Sequence, residues 1–251
     1  MIPSTARASR WRATVALAAI TLLSVAGCQA RAGSAAIVGS SRITDDQVRQ
    51  VAQEGLRVKT VSTAVGSDIG GYRQLILGRL LKHLLVADAA RKLGVSVSQG
   101  QLDTTLKADV QRLGGRAQLD AALAAAPLKL PPSELRPFLR DSLLLNAMGD
   151  RFTTGLTFSD AEAKKFYDVN GGAQSGRSFA QLKPQVLAAL RQQRGVAKAE
   201  AYVQQYLRSR HVTVNPRYGR FDQAKLFDPN EASVIVGAKD DLVRDSTATR
   251  S

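Results

Sequence analysis

One thiol, two imidazoles, scattered serines and a few acid pairs are the groups in this 251-residue chain with the chemistry to build a site. Cys28 is the only cysteine, which excludes an intrachain disulfide and any multi-cysteine metal or redox centre. His83 shares a strip with Arg79 and Lys82 and reads as a solvated or snorkelling side chain. His211 stands where a helix gives way to a strand, a place that favours a cation near the helix dipole. Neither histidine has a carboxylate or a second histidine three or four residues on, so neither reads as half of a metal pair. No serine sits in a Gly-x-Ser-x-Gly elbow, and Gly70-Gly71 and Gly171-Gly172 lack the lysine and spacing of a phosphate loop. Asp45-Asp46 and Asp240-Asp241 are isolated acid pairs, the first explained by its position at a helix N-terminus. No enzyme signature and no cofactor motif emerge, and the expectation is a protein that is not an enzyme.

The charges point the same way. The formal net charge is +14, and Arg7, Arg10 and Arg12 account for +3 of it, leaving +11 on the remainder. These charges are spread over helix surfaces and not gathered into a run, which argues against nucleic acid as a partner. Anionic lipid head groups or wall polymers fit a basic surface held beside a membrane, each basic group there contributing about 1 kcal/mol.

The N-terminus has the three zones of an export signal: the basic residues just named, an apolar stretch from Ala13 to Leu23, and small residues Ala26-Gly27 before Cys28. The apolar stretch is far short of the about 20 residues a permanent span needs. The run Leu23-Ser-Val-Ala-Gly-Cys28 resembles the lipobox of bacterial lipoproteins. That resemblance implies a diacylglycerol thioether and an added N-acyl chain on Cys28, cleavage before it, and anchoring at the extracytoplasmic face of the bacterial cell membrane. Each buried CH₂ of the acyl chains contributes about 0.8 kcal/mol, so two or more chains hold firmly. The expected organisation is a signal peptide over 1–27, a lipidated tether over 28–34, a helical domain over 35–227 and a flexible tail over 228–251.

The elements of the body follow from periodicity and caps. Aromatics are only 5% of the chain, so its core must be aliphatic. Ala35–Gly39 reads as a strand, and Thr44 with Gln47 opens a helix from Asp45 to about Val65. Gly70-Gly71 punctuates the chain before a central helix, Tyr72 to Leu93, ended by Gly94. Ser98 with Gln101 opens the next, to about Gly114, and a short helix spans Arg116–Ala126. Pro131-Pro132 introduces a helix from Ser133 to about Phe152, in which Phe138, Met148 and Phe152 read as core before client-binding residues. Ser159 with Glu162 caps a short helix, and a long one starts between Ser178 and Pro184 and runs to about Arg208. Pairing Ile37-Val38 with Val212–Val214 would close the two ends in a two-stranded β contact. The fold class is mainly α.

Three stretches of this layout resemble the N-terminal chaperone region of SurA- and PrsA-type foldases: Tyr72–Leu81 continuing through Ala87–Ser98, Ser159–Asn170, and Phe179–Arg210 with Val212–Val214. The resemblance implies a SurA N-terminal, trigger-factor-like helical lobe. Where that family often inserts a parvulin isomerase domain of about 90–100 residues, within ordinary domain size, this chain has only Gly171–Ser178. The implied function is a membrane-anchored, ATP-independent holdase for unfolded or nascent exported polypeptides, without prolyl isomerase activity. A scaffold or adaptor of the cell envelope binding one protein partner is the alternative.

Overall fold

A computed structural model of the chain describes residues 33–125, 130–228 and 233–237. The expected signal peptide, the lipid attachment at Cys28, most of the tether and residues 238–251 of the tail lie outside the described residues.

The described chain is mainly helical with a small antiparallel sheet. Strands β1 (Ser34–Val38) and β2 (Ser41–Thr44) form a hairpin, and helices α1 (Asp45–Arg57), α2 (Lys59–Val65) and α3 (Ile69–Lys92) follow. Helices α4 (Gln99–Arg112), α5 (Arg116–Ala125), α6 (Leu135–Thr153), α7 (Asp160–Val169) and α8 (Phe179–Arg208) complete the helical set. Strands β3 (Val212–Val214), β4 (Arg220–Phe221) and β5 (Ile235–Val236) close the chain.

Four helices begin where a capping box sits. Thr44, Ser98, Ser159 and Ser178 each accept from the backbone of a Gln or Glu three residues on, whose side chain accepts in return from the cap's N–H. Helix α3 ends in a Schellman turn: Gly94 at φ +73 donates to Arg91, and Val95 donates to Ala90.

β1 pairs with β3 antiparallel, Ala36 opposite Val214 and Val38 opposite Val212, so the expected closure of the two ends is present. The sheet has three strands and not two, because Gly39-Ser40 turns the chain back to pair Val38 with Ser41 and Ile37 with Arg42. Two helical boundaries also differ. The helix expected to run from Asp45 to Val65 breaks at Val58, which is extended (φ −79, ψ 115). The central helix starts before Gly70-Gly71, because Asp68 caps it by accepting from the Gly71 N–H at 2.9 Å. A Cβ on Gly71 would lie 2.3 Å from that carboxylate, so glycine is what lets the cap close.

Three apolar clusters divide the lobe. The largest surrounds α3, whose Ile76, Leu77, Leu81, Leu85 and Val86 are fully buried, with Val48, Met148, Val203 and Leu207 around them. Leu119, Leu130 and Leu135 form a second cluster where α4, α5 and α6 meet, and Ala163, Tyr167 and Val186 a third, where α7 covers the start of α8. Helices α6 and α8 make the most extensive helix–helix contact and cross at Gly149 and Gly195. A Cβ on Gly149 would lie 2.6 Å from the Gly195 carbonyl carbon. Part of the expected tail is packed: Val234 and Ile235 are buried in the main cluster.

Candidate functional site

The polar strip of α3 faces inward, into a half-open cavity of about 350 Å³. Gly78, Arg79, Lys82 and His83 form its floor. Glu134, Phe138, Asp141 and Leu145 come from α6 and the 3₁₀ turn before it, Glu200 from α8, and Leu226, Phe227 and Val234 from the C-terminal segment.

His83 is clamped between two carboxylates. Its Nδ1 lies 2.5 Å from Asp141 Oδ2 and its Nε2 lies 2.9 Å from Glu134 Oε2. The imidazole is 18% exposed and its partners less, which corrects the reading of His83 as a solvated side chain. The clamp follows from local structure. Pro132–Glu134 forms a 3₁₀ turn leading into α6, and seven residues are two helical turns, so Glu134 and Asp141 stand on one face, a turn-pair apart. Burial opposes protonation of His83, but the hydrogen bonds and charges of Asp141 and Glu134 outweigh it and hold the pKa at about 9. At neutral pH the ring is therefore a cation donating both N–H groups.

Around this clamp the charges alternate. Lys82 Nζ sits 4.7 Å from the centre of the Phe227 ring. Burial pulls the Lys82 pKa down against the pull of Asp141 and Glu200, and burial lifts Glu200 against Lys82. The cavity thus interleaves paired charges with the apolar side chains of Phe138, Leu145, Leu226, Phe227 and Val234.

Such a site can bind and orient a ligand with polar and apolar parts. Its imidazole and its Ser142 hydroxyl are both already engaged. Both nitrogens of His83 are engaged by carboxylates, and the Ser142 hydroxyl donates to the Phe138 carbonyl at 3.2 Å. Nor does His83 present a lone pair to a metal, and among the described residues no group of three or more His, Cys, Asp and Glu could hold one.

Of the three residues singled out within α6, Met148 is fully buried and Phe152 packs on Tyr202 at 5.4 Å between ring centres. Phe138 is 37% exposed at the cavity. His211 is exposed just before β3 and takes no part in the cavity. Glu134, Asp141 and Glu200 escaped the sequence reading because the partners of His83 are 51 and 58 residues away. The available signal was the two-turn spacing of two acids on one apolar helix.

Beside β1, where the chain leads back toward Cys28, a second, polar cleft is lined by Asp45, Asp46, Arg49, Arg73 and Arg217. Arg217 Nη2 pairs with Asp45 at 2.6 Å, and Arg49 pairs with Asp46. No helix among the described residues is long and apolar enough to cross a membrane. No protein-family model matches the chain, and no curated protein matches it.

Proposed function

We propose that this protein is a lipid-anchored, ATP-independent holdase that keeps segments of exported polypeptides from aggregating, without prolyl isomerase activity. The observation that carries this reading is the cavity over α3, whose lining mixes paired charges with apolar side chains and so suits a polypeptide segment with mixed side chains. Further support comes from the connection between α7 and α8, which holds a 3₁₀ turn at Gly172–Ser175 and no inserted domain. Cys28, carrying the acyl chains, is the proposed tether to the extracytoplasmic face of the membrane, where unfolded chains emerge.

The test is suppression of aggregation of a chemically unfolded client by the soluble form beginning at Gln29. Suppression that saturates near one lobe per client chain is the expected result. No effect at molar excess would refute the holdase reading.

An adaptor that binds one folded envelope partner is the second reading. It is favoured by the small apolar surface: among the described residues only Phe138, Leu156 and Val169 are large hydrophobics that stay exposed. Affinity purification of the anchored protein separates the two. One stoichiometric partner supports the adaptor, and many substoichiometric exported proteins support the holdase.

A further inference from the structure

The segment Ser233–Gly237 lies on the lobe as a bound peptide would. It pairs with β4 at only two positions, Phe221 with Ile235 and Arg220 with Val236, and the Asp222 N–H donates to the Val234 carbonyl at 2.8 Å. From α3, Gln74 Nε2 donates to the carbonyls of Tyr218, at 2.8 Å, and Gly237. Ser233 Oγ donates to the Gln74 carbonyl at 3.3 Å. Val234 and Ile235 are buried.

Two residues of α3 make room for this strand. Gly78 removes the side chain that would stand in its path: a Cβ there would lie 3.2 Å from Val234 Cγ2 and 3.3 Å from Ser233 Oγ. Gln74 is a fully buried amide in the helix at the centre of the main apolar cluster, and it reads main-chain carbonyls. Contacts to main chain tolerate many sequences, whereas two filled apolar positions select β-branched or aliphatic side chains.

We propose that the groove formed by Gln74, Gly78 and the edge of β4 is a binding site for extended, β-branched polypeptide segments, and that Ser233–Gly237 is its resident, displaceable occupant. This assignment rests on the polypeptide-holding reading above. The occupant buries two side chains and must order five residues to do so, so its docking gain is largely offset by lost chain freedom. An incoming segment of the same chemistry replaces the same bonds. The cavity continues from the groove past Ser233 toward Lys82 and His83, giving a longer ligand somewhere to run. A resident occupant lowers apparent affinity by the fraction of molecules in which the groove is open.

The test uses a fluorescein-labelled peptide, Ser-Val-Ile-Val-Gly, and the soluble form beginning at Gln29, as the full chain, as a chain ending at Asp228, and as the full chain with Ile235→Asp. Cooperative thermal melting of each is measured alongside. Both altered forms are expected to melt cooperatively and to bind the peptide at least about tenfold more tightly than the full chain. In the shortened chain, Gln74→Met should reverse that gain, since it keeps the volume and removes the amide donor. Equal binding by all forms, or no binding by a folded shortened chain, would overturn the assignment. Loss of cooperative melting in both altered forms would overturn it too, because a ligand is dispensable to the fold. Peptide binding without aggregation suppression would remove the holdase function and leave the groove. Suppression with no gain in peptide binding would do the opposite.

Discussion

The charge on His83 holds two carboxylates in the interior, so neutralising it should loosen α3 from α6. The pKa of His83 stands at about 9 against an ordinary 6.5. At about 1.4 kcal/mol per pK unit, protonation contributes on the order of 3 kcal/mol to stability. Because the folded value lies above the unfolded one, this contribution is complete below about pH 6.5 and is lost as pH rises through about 9. Urea unfolding of the soluble form, followed by circular dichroism between about pH 6 and pH 10, measures it. The wild-type protein should lose about 3 kcal/mol across that window. His83→Gln should be less stable near neutrality by about 3–5 kcal/mol, because it leaves two buried carboxylates without their cation. The difference between the two proteins should shrink as pH rises. Arg79 and Lys82 on α3, Glu200 on α8, and Lys225 and Asp228 line the same cavity in both proteins and largely cancel in the comparison. Lys82, whose charge burial disfavours, gains stability toward high pH in both. Parallel pH profiles for the two proteins would refute the charged clamp.

Three further outcomes follow. Gly149→Ala should cost about 3 kcal/mol or more and lower the Tm, since its Cβ meets the Gly195 backbone at 2.6 Å and forces α6 and α8 apart. An unchanged melting curve would contradict the close crossing. Ser159→Ala removes one capping box and should cost about 1 kcal/mol, read by chemical unfolding; a neutral change would mean that α7 gains nothing from its cap. Cys28→Ala should release the protein from the membrane fraction or leave its leader uncut, scored by fractionation and intact mass. Processing and membrane retention unchanged from wild type would remove the lipid anchor from the proposal.

Local signals carried most of the fold. The capping boxes at Thr44, Ser98 and Ser159 and the Gly94 turn are each written within a few residues, and each of those helix ends appears where its signal lies. The start of α8, read only as between Ser178 and Pro184, falls at a fourth box on Ser178. Even the pairing of Ile37-Val38 with Val212–Val214 was legible, since few other stretches alternate as strands. The errors came where two local signals compete. Gly70-Gly71 reads as a break until Asp68 is recognised as the cap that sits over it, and the extended Val58 splits a helix whose apolar pattern runs on. The hairpin turn at Gly39-Ser40 was present as a glycine followed by a small polar residue, but the second run, Ser41–Thr44, has only Ile43 as an apolar residue and is too polar to announce itself. The cavity was not legible. An inward polar strip and an outward one have the same spacing on α3, and only the approach of Glu134 and Asp141 from a distant helix decides between them.

Ala36 pairs with Val214, and nearly the whole lobe lies between them. A chain made from its N-terminus presents the β1–β2 hairpin first, with one edge of β1 unmatched. Closing so long a loop is slow relative to forming the helices inside it, and an open strand edge is adhesive in the meantime. Until α8 and β3 arrive, the first hairpin of this protein has the properties of the polypeptides it is proposed to hold.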